Sequence, residues 1–72
     1  MILEYSMLIQ WSDEDQAYIV TLPEFGGPKT HGETYEEAAK NGREVLELLV
    51  ESCLEHGEPL PASAKYHDQV SA

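Results

Sequence analysis

The densest carboxylates in the chain are Asp13, Glu14 and Asp15. Oxygen ligands of this kind suit a hard cation such as Mg²⁺. Consecutive residues in a tight loop seldom converge on one ion without help from elsewhere, and no EF-hand spacing with its distal glutamate follows them. A solvated hairpin loop is the simpler account, and no metal site is expected. The histidines His31, His56 and His67 are widely spaced on different elements. His56 at a helix end suits the macrodipole, which favours a cation there. His31 as a general base would need a nucleophile, and no nucleophile elbow or oxyanion motif accompanies any Ser or Thr. Cys53 is the only cysteine, which excludes an intrachain disulfide and a Cys-based zinc site. Gly26-Gly27 lacks both the lysine and the helix start of a phosphate loop. No catalytic residue and no cofactor are expected.

The elements around these residues are plain. In residues 3–12, Leu3, Tyr5, Met7, Ile9 and Trp11 alternate with Glu4, Ser6, Gln10 and Ser12, a period-two strand with Leu8 as the exception. Residues 13–16 read as a hairpin loop, and Ala17–Leu22, rich in β-branched and aromatic side chains, as the return strand. Two prolines and two glycines in residues 23–28 force a turn or bulged crossing. Residues 29–32 leave room for a short third strand.

Thr34-Tyr35-Glu36-Glu37 is a capping box, with the Thr34 hydroxyl set to accept from the Glu37 amide and Glu37 to reach back to the Thr34 N–H. Gly57 and Pro59 end the helix that follows. Tyr35, Ala38, Ala39, Gly42, Val45, Leu46, Leu49 and Cys53 form its apolar stripe, which makes Cys53 a buried, inert thiol. Gly42 inside the stripe costs about 1 kcal/mol relative to Ala, a loss that close approach to a sheet explains. Leu54, among Glu36, Lys40 and Glu47, and Val50 on the flank form an apolar pair outside the stripe, which hints at an interface. After a Pro-rich connector, residues 64–70 hold Tyr66 and Val70, enough for a short edge strand. The expected class is α+β: a three-stranded antiparallel sheet packed on one helix with a short fourth strand, β-β-β-α-β, in a single domain spanning residues 1–72. Its core is expected to hold Tyr5, Met7, Ile9, Val45, Leu46 and Leu49.

Seventy-two residues bury only about 60% of the surface the unfolded chain exposes, so self-association, as a homodimer or larger, is expected. Fourteen acidic residues against four basic ones give a net charge of −10. Such a chain has no basic face for nucleic acid or an anionic membrane, and its natural complement is a basic protein. The N-terminus lacks the basic segment and apolar run of a signal peptide, and no stretch approaches the roughly 20 residues of a membrane span. A cytoplasmic location is expected.

Read in order, Tyr18, Pro23, Glu24, Phe25, Gly27, Gly32, Thr34, Glu36, Glu37, Ala38, Gly57, Pro59 and Pro61 fall on the pattern of the HicB-type antitoxin family. The resemblance covers nearly the whole chain. Gly26 and Pro28 depart from it, standing where proline and cysteine are usual. Many family members continue into a DNA-binding domain, and this sequence stops about where that domain would begin, so the short form is expected. The resemblance implies a degenerate RNase H-like fold. It also implies a partner: a small basic HicA-type toxin, an mRNA endoribonuclease. On that view Asp13, Glu14, Asp15, Glu24, Glu47 and Glu51 steer the partner, while Phe25 and Leu54 are its apolar anchors. Two alternatives remain: a stand-alone homo-oligomeric domain, and a small metal-dependent ribonuclease.

Overall fold

The computed structural model describes residues 4–66. Three strands, β1 (Leu8–Ser12), β2 (Ala17–Leu22) and β3 (Gly27–Gly32), precede one helix, α1 (Tyr35–Glu55). The sheet is antiparallel with β2 in the centre. Ser12 pairs with Ala17 at the mouth of the first hairpin, so residues 13–16 form its loop as expected. Gln16 carries the positive φ of 52° that closes it.

Between β2 and β3 the chain makes one 3₁₀ turn, Pro23–Phe25, and leaves it through Gly26 and Gly27 at φ of 95° and 129°. A side chain is strained at such angles, which is why two glycines stand here. β3 begins at Gly27, two residues before the expected start. Pro28 is tolerated because β3 is an edge strand. A register shift lets Val20 face Thr30 and Thr21 face Pro28, leaving Lys29 as the extra residue of a bulge.

The helix starts at Thr34, whose hydroxyl accepts from the Glu37 amide at 3.0 Å. The Glu37 carboxylate accepts from the Glu33 N–H at 2.9 Å rather than from Thr34, so the box is wider by one residue than its sequence form. At the other end Glu58 N–H donates to the Cys53 carbonyl and Gly57 N–H to that of Leu54, with Gly57 at φ 68°. This is a Schellman stop. His56 Nδ1 sits 2.8 Å from the Ser52 carbonyl oxygen, which caps the last turn.

The core cluster is Val20, Leu22, Ala38, Leu46 and Val50, with Tyr5, Met7, Ile9, Tyr18, Phe25, Val45 and Leu49 packed against it. On the helix, Ala38, Gly42, Leu46 and Val50 are the buried line. Of the expected core only Leu46 is fully buried; the others flank it. Val50 is a correction. It lies inside the core instead of beside Leu54, because the i, i+4 line through Gly42 and Leu46 is the one that meets the sheet. Cys53 is half-buried where full burial was expected. Gly42 explains itself: a Cβ there would lie 2.8 Å from both Met7 Sδ and Val20 Cγ1.

Two strand expectations also change. Of the first strand, expected over residues 3–12, the described residues 4–7 stay outside the sheet, which begins at Leu8; the Ser6 N–H is taken by the Glu24 carboxylate. No fourth strand is seen among the described residues. Ala64 gives its N–H to Glu24 and its carbonyl to the Ser6 hydroxyl, so side chains take the bonds a ladder would need. Residues 67–70 of that expected strand lie outside the described residues, as does His67.

Candidate functional site

The structure separates the eight candidate residues into three places. Asp13, Glu14 and Asp15 sit exposed in the β1–β2 loop. Asp13 accepts from the Trp11 indole Nε1 at 2.8 Å, and Asp15 from the Ser12 hydroxyl at 3.0 Å. Asp13 and Asp15 are thus held apart by separate local bonds. Among the described residues no group of three or more His, Cys, Asp or Glu is gathered closely enough to hold a metal ion. His31 is exposed on β3, and its carbonyl accepts from Asn41 Nδ2 at 2.8 Å.

On the helix, Glu51 and Leu54 are exposed, Leu54 at 61%. Glu47 is half-buried and paired with Arg43 at 3.0 Å, an i, i+4 bridge worth about 0.3–0.5 kcal/mol at a surface. Leu48, at 65% exposure, joins the exposed apolar side chains of the helix; its place two residues after Leu46, on the far side of the helix from the apolar stripe, is the sequence signal for that.

Glu24 and Phe25 occupy the third place, a clasp that closes the chain on itself. Phe25 packs edge-on against Tyr5 with ring centroids 5.0 Å apart. The Glu24 carboxylate accepts from Ser6 N–H at 3.1 Å, Ser6 Oγ at 3.0 Å and Ala64 N–H at 2.9 Å. Nearby, Tyr5 Oη donates to the Pro61 carbonyl at 2.8 Å, Ser63 Oγ donates to the Glu4 carbonyl, and Lys65 pairs with Glu4 at 3.4 Å. The 3₁₀ turn therefore buckles the segment before β1 to the segment after the Pro-rich connector. Only tertiary structure shows this role for Glu24, since its partners lie 18 and 40 residues away.

Desolvation pushes the Glu24 carboxyl upward, but donation from the Ala64 N–H, its own N–H, the Ser6 N–H and the Ser6 hydroxyl outweighs it and holds the pKa below the usual carboxylate range. A carboxyl lowered on folding adds stability above its unfolded pKa and loses it as pH falls through the lower folded value. Glu24→Gln is expected to reduce stability at neutral pH by about 1 kcal/mol, a screened value for bonds to a charged acceptor. Acid titration of the melting temperature checks it: the variant should lose less than the wild type between pH 5 and the acid transition, and parallel curves would remove the clasp from the account.

The sheet also brings together three aromatic rings that the period-two pattern had scattered. Trp11 faces Tyr18 across the β1–β2 ladder at 5.1 Å, and Tyr18 faces Tyr35, the first residue of α1, at 4.3 Å. Trp11 is 48% and Tyr35 59% exposed.

Residues 5–72 match the model of the HicB_like antitoxin of bacterial toxin-antitoxin systems. The chain belongs to the HicB-like antitoxin family. It is 36% identical to a UPF0150 protein of Thermoplasma acidophilum over 82% of this chain and 84% of that one. It is 33% identical to a UPF0150 protein of Synechocystis over 83% of this chain and 75% of that one. No solved structure matches it significantly. The HicB-like domain thus has its three-stranded sheet and single helix in the order the sequence indicated, without a fourth strand among the described residues. Among those residues no helix is long and apolar enough to cross a membrane.

Proposed function

We propose that this HicB-like chain neutralises a small basic HicA-type toxin, an mRNA endoribonuclease, by covering its RNA-binding face, and that it has no catalytic activity of its own. The observation that carries this is the family match across residues 5–72. A net charge of −10 supports it, because an acidic domain complements a surface built to bind phosphates. A cytoplasmic location and a homodimeric or larger assembly belong to the same proposal. So does the absence of direct nucleic-acid and membrane binding.

In this scheme Glu14, Glu51 and the neighbouring Asp13, Asp15 and Glu47 steer encounter, and Leu54 contributes exposed apolar contact. Glu24 and Phe25, expected as a steering charge and an apolar anchor, are engaged with Ser6, Ala64 and Tyr5 within the clasp. Exposed charges at a rim act mainly on association rate and are screened beyond about 8 Å at physiological salt.

The test is to purify the chain with the product of a short basic open reading frame beside its gene. The expected result is a stoichiometric complex in which RNA cleavage by that product stops. The chain alone should leave RNA intact in Mg²⁺ or Mn²⁺. Reversing Glu47 and Glu51 to lysine is expected to slow association about tenfold at low salt and flatten its salt dependence, with dissociation nearly unchanged. Surface-plasmon kinetics at two salt concentrations read both rates. Metal-dependent cleavage that follows the chain through chromatography and vanishes in Asp13→Asn would replace this function with a nuclease.

A further inference from the structure

We infer that the aromatic ladder Trp11–Tyr18–Tyr35, open to solvent at its two ends, is the anchor of the partner interface, and that it receives an arginine side chain of a basic protein. This rests on the proposal that the partner is a basic toxin, and adds the surface and the group that it recognises.

Three features point to that occupant. First, the rings are contiguous, at 5.1 and 4.3 Å, and the ends of the ladder, Trp11 and Tyr35, are 48% and 59% exposed. The core accounts for the other aromatic pair, Tyr5 and Phe25, and for Tyr18, whereas Trp11 and Tyr35 touch Tyr18 and keep about half of their surface open to solvent. Second, the ladder is framed by carboxylates. Asp13 is fixed at the indole edge by the 2.8 Å bond from Nε1, Glu14 and Asp15 follow in the same loop, and Glu33 and Glu36 flank Tyr35 in the chain. Third, the ion pairs among the described residues, Arg43–Glu47 and Lys65–Glu4, involve none of these five carboxylates.

Aromatic faces attract a cation, tryptophan most strongly, and arginine most often fills that place because its planar guanidinium stacks. A guanidinium on the Trp11 face has the Asp13 carboxylate beside it, already oriented, so one cation meets both a π-face and an acceptor. Interface energy concentrates in such Trp, Tyr and Arg positions. The five carboxylates around the ladder also argue against the same surface of a second copy as the occupant, since like charges would face one another there.

Trp11 is the only tryptophan, so intrinsic tryptophan fluorescence reports on this surface alone. The experiment titrates the full chain with the basic toxin and, separately, with nona-arginine and nona-lysine peptides. Trp11 emission should change with the toxin, and more with the arginine peptide than with the lysine peptide. Tyr35→Ala, at an exposed position, should weaken toxin binding about tenfold with its melting curve retained, and Tyr35→Phe should restore it. Toxin binding with Trp11 emission and Tyr35→Ala affinity both unchanged would reject this surface while leaving the antitoxin function standing. Failure of the toxin to bind the wild-type chain would remove the function, and the peptide titrations would then decide the surface: equal responses to the two peptides would reject arginine recognition. An emission maximum that moves on dilution of the chain alone would make the ladder a self-interface and overturn the proposal.

Discussion

Gly32→Ala is expected to push the helix off the sheet and lower stability by about 3 kcal/mol, the upper end for overpacking a close contact. Gly32 is the buried last residue of β3, and its φ is not positive, so backbone freedom is not the reason for glycine. The reason is proximity. An added Cβ would stand 2.7 Å from Ala38 Cα and 2.8 Å from the Glu37 carbonyl carbon. Those are backbone atoms in the first turns of α1 and cannot rotate aside. Gly42→Ala is the internal comparison. Its Cβ meets Met7 Sδ and Val20 Cγ1 at 2.8 Å; the thioether tip swings away, and Ala in a helix recovers about 1 kcal/mol. The loss at Gly42 should therefore be the smaller of the two. Urea denaturation of both variants measures the order, and a Gly32→Ala midpoint at or above the wild type would refute the close contact.

Leu46→Ala is expected to remove about 2–5 kcal/mol, the range for truncating a buried leucine without full collapse of the site. Leu46 is 3% exposed at the middle of the buried line Ala38, Gly42, Leu46 and Val50. Its neighbours in the core, Val20 and Leu22, lie on the central strand, which pairs on both sides and cannot move inward to fill the void. Small domains sit near the low end of the 5–15 kcal/mol stability range, so a loss of this size approaches unfolding. Leu54→Ala, a truncation at the exposed side of the same helix, should change stability by less than about 0.5 kcal/mol. Thermal melting of the two variants distinguishes core from surface, and equal effects would refute the packing described here.

Much of this architecture was legible because its signals are local. Alternation around Ile9, Trp11 and Tyr18 marks strands, and a hydroxyl three residues before a carboxylate marks the start of the helix. Gly57 followed by Pro59 marks its end, and each of these depends on residues within one or two turns of one another. The net charge of −10 is equally local in origin, since no folding is needed to count carboxylates. Helical periodicity also placed Leu46 and Gly42 on the buried side, though it set the stripe's centre too far toward Leu49. A wheel weights all apolar residues alike, whereas contact with the sheet selects the single i, i+4 line that reaches Val20.

The sequence by itself determined the three strands, the helix with its caps, the acidity and the family pattern. Tertiary structure alone decided the bonding of Glu24 and the conjunction of Trp11, Tyr18 and Tyr35. A carboxylate at residue 24 looks the same in sequence whether it faces solvent or gathers N–H groups from residues 6 and 64; only the path of the connector makes it a clasp. It thereby turns residues 6 and 64 from strand positions into anchored coil. The ladder depends on the β1–β2 register and on where the helix enters, which brings residues 11, 18 and 35 to successive ring contacts. Such long-range placement has no periodic signature, because it is fixed by packing between elements rather than by spacing within one.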